Sequence, residues 1–130
     1  MPHIVLHLSG EFDRVLMHNA VHIIQDLTVD ILHKERTVIA VTVQFIPCGQ
    51  WFIGEKNLRE SASSAFHLDI SITDETNTKA EKAKYVYEVY KALSELRPHP
   101  TEISYVHLID ARAAAYGYGG RTQEWRHQQH

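Results

Sequence analysis

The chain has 130 residues, of which 44% are hydrophobic and 22% charged, the balance of a single soluble globular domain or of two small fused units. A net charge of −3 excludes a non-specific nucleic-acid surface. The single cysteine, Cys48, excludes an internal disulfide and fits a reducing, cytoplasmic setting. No apolar run is long enough to span a membrane, and the N-terminus lacks a charged-then-apolar signal pattern.

In chain order, His3 to Leu8 alternates weakly, with Ile4, Leu6 and Leu8 on one face and His3, Val5 and His7 on the other, which reads as a strand. Ser9-Gly10 ends it. From about Phe12 to Leu32, the residues Leu16, Ala20, Ile24, Leu27 and Ile31 recur at three- and four-residue steps, an amphipathic helix. Val38 to Ile46 is rich in β-branched residues, a second strand closed by Pro47-Cys48-Gly49. Gln50 to Gly54 is a short aromatic segment able to turn back as a small hairpin.

After a polar linker at 57–64 the plan restarts. Ala65 to Ile72 alternates as a strand. Thr78-Lys79-Ala80-Glu81 is a capping box, opening a helix to about Leu96 with Ala83, Val86, Tyr90 and Leu93 as its apolar stripe. Arg97-Pro98-His99-Pro100 stops it. Ile103 to Ile109 is a strand, Ala111 to Ala115 one helical turn, and Tyr116-Gly117-Tyr118-Gly119-Gly120 a second aromatic-glycine tail. The tail Arg126 to His130 reads as disordered.

The first strands of the two halves start 63 residues apart, at His3 and Phe66. Two right-handed β-α-β units fused in one chain build a four-stranded sheet with two helices on one face, an α/β (α+β) architecture. The expected boundaries are unit one at 1–56, the linker at 57–64, unit two at 65–125 and the tail at 126–130 of one domain. The other sheet face carries Val5 and Val43 and has no cover within the chain, so it calls for oligomerisation.

Ten histidines are many for this length. His18 and His22, four apart on a helix, have metal-chelating spacing but no third ligand near, so no metal site is assigned. Tyr85, Tyr87 and Tyr90 read as packing residues, and Arg36 and Arg59 as surface charges.

Pro2 draws the chemistry together. Without Met1 it carries a free secondary amine at the start of a buried strand. An α-amino group titrates near ~7.7–8.0 in water, and burial lowers that. Such an amine is a competent general base or acid at neutral pH.

Pro2-His3-Ile4-Val5-Leu6-His7, the segment Pro47 to Gly54, the tail Tyr116 to Gly120 and Arg121-Thr122-Gln123-Glu124-Trp125 together resemble the tautomerase superfamily, in its fused two-unit form. The resemblance covers nearly the whole chain. It implies a tautomerase or isomerase acting on a small 2-keto or enol carboxylic acid, with no metal or organic cofactor, assembled as a homotrimer and binding neither nucleic acid nor membrane. By the same resemblance Pro2 and Tyr105 are catalytic, and Arg121 and Tyr116 bind substrate. Arginine suits such a substrate because its fork binds both carboxylate oxygens. The loop Thr73-Asp74-Glu75-Thr76-Asn77 departs from the family, whose dehalogenases and decarboxylases carry two arginines after the third strand. The alternatives are a binding or interaction protein of the same fold that has lost its chemistry, or a dehalogenase- or hydratase-type activity.

Overall fold

In the computed structural model, residues 2–129 are described. Met1, whose loss would free the Pro2 amine, and His130, the end of the expected tail, lie outside the described residues. The elements are β1 (His3–Ser9), α1 (Arg14–Leu32), β2 (Ala40–Ile46), β3 (Phe52–Ile53), β4 (Lys56–Asn57), α2 (Leu58–Ser61), β5 (Phe66–Thr73), α3 (Lys79–Ser94), β6 (Tyr105–Ala111), β7 (Gly117–Tyr118), β8 (Arg121–Thr122) and α4 (Gln123–Gln128).

The main sheet has the order β2-β1-β5-β6. β1 and β2 run parallel, β5 and β6 run parallel, and β1 meets β5 antiparallel with Leu6 opposite Leu68. Each parallel pair is one crossover through a helix, and the two units join at the centre. The alternation read from the sequence sets the faces. Ile4, Leu6 and Leu8 of β1 and Phe66, Leu68, Ile70 and Ile72 of β5 are buried under the helices.

Both helices start where the sequence caps them. The Asp13 side chain accepts from the Leu16 amide, and Thr78 and Glu81 form the expected capping box. In α1, Ala20, Ile24 and Ile31 are buried, together with Thr28 and Leu32. In α3 the buried stripe is Tyr85, Val89 and Leu93, not the Ala83–Val86–Tyr90 row expected, and Ala83 and Val86 are exposed. The large phenol decides the rotation. Facing inward, its hydroxyl meets Thr28 Oγ1 at 2.9 Å, and Thr28 donates its own proton to the Ile24 carbonyl at 2.7 Å. Tyr85 is therefore the donor to Thr28. Tyr87 is 61% exposed and packs on nothing in the core.

The open sheet face is more polar than expected. Val43 pairs with Leu6 and packs on the core instead, because parallel neighbours in register share a face. The open face carries His3, Val5 and His7, flanked by Thr42 and Gln44 on one side and by His67, Asp69, Tyr105, His107 and Ile109 on the other. Asp69 Oδ1 lies 3.0 Å from His67 Nε2 and 3.5 Å from His107 Nδ1.

The stretch expected to be a linker holds the short helix α2, which buries Leu58 and closes on an Asn57–Glu60 capping box. The expected tail likewise begins inside α4, which Thr122 caps through the Trp125 amide. The hairpin and helix elements of the two units correspond at a constant offset. β3, β4 and α2 start at 52, 56 and 58, and β7, β8 and α4 at 117, 121 and 123, each 65 apart. The register of the parallel pairs offsets β1 from β5 by 64 (His3 and His67) and the helices differ by 65 (14 and 79), so one residue is inserted in the second strand–helix connection, the acidic loop that follows β5.

Candidate active site

Pro2 is buried at the mouth of β1, a central strand. Its carbonyl accepts from the Ala40 amide at 3.4 Å, which fixes it to the parallel neighbour β2. A cavity of about 220 Å³ opens beside it, lined by Pro2, His3, Val38, Ala40, Tyr116, Gly117, Tyr118 and Gln123. Unit two thus supplies the wall over the start of unit one.

Backbone chemistry shapes that wall. Gly119 and Gly120, at φ 61° and 77°, sit between the paired Tyr118 and Arg121, the two positive-φ positions that a tight hairpin turn needs. A Cβ on Gly117 would lie 1.9 Å from the Arg121 carbonyl oxygen, so only glycine lets the two strands approach. Tyr116 holds the hairpin to the sheet. Its hydroxyl donates to the Ser71 carbonyl at 3.0 Å and meets the His3 backbone, one residue from Pro2. Burial pushes its pKa up, partly offset by the His3 contact. Its hydroxyl being used by the backbone, Tyr116 offers the cavity its ring.

The other expected site residues are not brought to Pro2 within one chain. Tyr105 opens β6, in register with His67, which pairs with His7. Pro2 adjoins His3, which pairs with Ser71 at the opposite end of the sheet. Four residues of strand separate the two levels, roughly 13 Å, and two strand spacings add to that. Tyr105 lines instead a separate cavity of about 370 Å³ with Trp51, Phe52, Ile53, Gly54, Phe66, His67 and Ile103. That cavity is the counterpart of the Pro2 site in the duplicated plan, with the β3–β4 hairpin over the start of β5. Where unit one has Pro2, unit two has Phe66, because His3 stands opposite Ala40 in the first parallel pair as His67 stands opposite Tyr105 in the second. Its nitrogen is an internal amide that donates to Ser104 Oγ at 3.2 Å.

Arg121 does not line the Pro2 cavity; its guanidinium lies 4.7 Å above the Trp125 ring, and it lines a shallow depression that shares Tyr116 and Gly117 with that cavity. Arg126 is held against a wall of the Pro2 cavity. It stacks 3.9 Å over Tyr118, donates to the Tyr118 carbonyl at 2.9 Å and lines a cavity of about 490 Å³ with Asp74, Glu75, His127 and Gln123. Gln123 lines both this cavity and that of Pro2. Neither residue stood out in the sequence. The signal was available in the duplication, because Gln123 occupies the place that buried Leu58 takes in unit one.

Among the described residues no group of three or more histidine, cysteine or acidic side chains is arranged to hold a metal, and no helix is long and apolar enough to cross a membrane.

No family model and no curated protein matches the sequence. Solved structures do. Pt0534, in a form inactivated by 2-oxo-3-pentynoate, superposes at a TM-score of 0.83 with 14% identity, covering 95% of this chain and 98% of its own. The chain has the tautomerase fold. A fused 4-OT that forms a symmetric trimer is similar at a TM-score of 0.81 and 11% identity, over 94% of this chain and 96% of its own. The malonate semialdehyde decarboxylase FG41, inhibited by 3-bromopropiolate, matches at 0.74 and 11% identity, over 98% and 96%. Identities this low speak for the tautomerase fold alone.

Proposed function

We propose that the protein is a cofactor-independent tautomerase in which the secondary amine of Pro2, freed by loss of Met1, moves a proton on a small 2-keto or enol carboxylic acid. One observation carries the reading. A partly apolar cavity lies beside Pro2, and at the matching position of the other unit Phe66 has an internal amide bonded to Ser104, which supports Pro2 as the reacting group.

The chemistry needs only this chain's groups. For a keto substrate, neutral Pro2 takes a proton from the carbon next to the carbonyl. The C–H pair becomes the enol double bond, and the carbonyl pair moves onto oxygen. The prolinium then returns the proton to oxygen or to a remote carbon, so one hydrogen has moved and the amine is regenerated. The apolar surroundings of the Tyr116 and Tyr118 rings favour the neutral, basic amine, because burial disfavours its charged form. Tyr105 and Arg121, which do not line the Pro2 cavity in their own chain, serve this site in a homotrimer by coming from a neighbouring copy. Solved trimers of fused 4-OT with this fold support that assembly.

The test is ketonisation of phenylenolpyruvate and of 2-hydroxymuconate by wild type and Pro2→Ala. General acid–base catalysis contributes about 10²–10⁴-fold, so the variant should lose at least about a hundredfold in kcat/KM. Equal rates in the two proteins would remove Pro2 from the mechanism.

A second reading has an observation of its own. Asp74 and Glu75 line the cavity next to the site, where they repel a carboxylate. A binding protein of this fold, its chemistry lost, accounts for that loop. It requires that neither enol substrate turn over with wild type.

A further inference from the structure

Gln123 is the polar exception in the second of two matching positions. Leu58 and Gln123 each open the short helix after a hairpin, and the bonds that place them are the same. The Leu58 amide donates to the Trp51 carbonyl at 2.9 Å, and the Gln123 amide to the Tyr116 carbonyl at 2.7 Å. Leu58 is 2% exposed, an apolar plug where no amine stands. At the end that holds Pro2 the plug is a carboxamide lining the Pro2 cavity, and its Nε2 is buried with no hydrogen-bond partner among the described residues. A buried donor without a partner costs stability, whereas leucine in that setting costs none. The terminal torsion of a glutamine is soft, so either end of the amide can turn to the cavity.

We propose that the Gln123 carboxamide is the hydrogen-bond donor to the substrate's keto or enol oxygen in the Pro2 cavity, an assignment that rests on Pro2 being the site. Negative charge gathers on that oxygen as Pro2 removes the neighbouring proton. A donor already in place and shielded from water stabilises it there. A neutral amide suits the task, since it favours the developing charge without trapping a carboxylate product. The substrate class follows: a compound whose oxygen-bearing carbon adjoins the carbon that exchanges its proton.

The experiment uses the full chain and 2-oxo-3-pentynoate as probe. The Pro2 nitrogen lone pair adds to the alkyne carbon remote from the ketone. An N–C bond forms, one alkyne π bond breaks, and its electron pair moves through the conjugated system to the ketone oxygen. The proton on nitrogen then passes to the adjacent carbon, leaving a neutral adduct. Mass spectrometry follows labelling of Pro2 over a range of probe concentrations in wild type, Gln123→Leu and Gln123→Glu. The maximal labelling rate of Gln123→Leu should fall about ten- to a hundredfold, with a melting temperature equal to or above wild type. The rate of Gln123→Glu relative to wild type should be low at pH 8 and rise toward pH 5, as its carboxyl gains a proton and becomes a donor. A wild-type maximal rate in Gln123→Leu, or a relative rate in Gln123→Glu that does not change with pH, overturns the assignment and leaves Pro2 in place. Wild type that fails to label at Pro2 overturns both.

Discussion

At Pro2 the decisive neighbours are backbone groups. The Ala40 amide and the Tyr116 hydroxyl, through Ser71 and His3, fix the start of β1, and the glycine hairpin closes above it. Tyr116→Phe keeps the ring and loses a half-buried hydrogen bond, so urea denaturation should show a loss of about 1 kcal/mol, with ketonisation little changed. Tyr116→Ala opens the cavity and should lower kcat/KM. Retained activity in Tyr116→Ala would exclude the ring as a wall of the site. That Pro2 and Tyr116 line one cavity was foreshadowed in the sequence, because position in the chain and the aromatic-glycine pattern are local signals. Tyr105 and Arg121 were assigned by resemblance, and within one chain neither lines the Pro2 cavity. Gln123 and Arg126 went unread because a polar residue after a hairpin looks like surface until the matching Leu58 is seen to be buried.

Among the elements, the contact of α1 with α3 is the clearest place to test the fold. Tyr85 is fully buried, and burial pushes its pKa up to about 12, against the opposing effect of the Thr28 hydrogen bond. The folded value lies above the unfolded one near 10. The protonated phenol therefore adds stability that is fully present below about pH 10 and is lost as pH rises through about 12. Tyr85→Phe should cost about 1 kcal/mol at pH 8, and the gap to wild type should close as pH approaches 12. A gap that stays constant to pH 12 would mean that the phenol is not buried. Arg97 is the second test. Its guanidinium donates to the carbonyls of Ser9 and, at 2.9 Å, Ala65, tying the end of β1 to the start of β5. Burial lowers its pKa, opposed by Cys48 and Asp13. Arg97→Ala leaves two half-buried carbonyls short of a donor and should cost about 2–3 kcal/mol, read as a lower melting temperature. The strands and the two long helices followed from alternation and caps. The face of α3 did not, because a tyrosine's ring can face core or solvent and only the position of Thr28 on α1 decides between them. The α2 and α4 turns were invisible for another reason: four- and six-residue helices are too short to show a period.

For the whole molecule, the duplication is the organising fact and was legible as a 63-residue repeat. The true strand offset of 64 and the one-residue insertion that raises it to 65 were not, because the acidic loop carrying the insertion has no pattern of its own. The assembly argument shifts as well. With Val43 in the core, the open face sets His3, His7, His67, His107, Thr42, Gln44 and Asp69 beside Val5, Tyr105 and Ile109, so apolar burial on that face is a weaker drive than expected. The sheet ends at β2 and β6 with no further strand beyond either among the described residues, and such edges pair readily with another chain. Sedimentation equilibrium at micromolar concentration should give three chain masses. A monomer would leave Tyr105 with no route to Pro2. The central claim is that Pro2 carries a free amine in a working pocket. Peptide mapping of the purified protein after exposure to 2-oxo-3-pentynoate tests it most directly. The expected result is a chain that lacks Met1 and bears one adduct, on the Pro2 nitrogen. A chain that retains Met1, or that labels anywhere but Pro2, would contradict it.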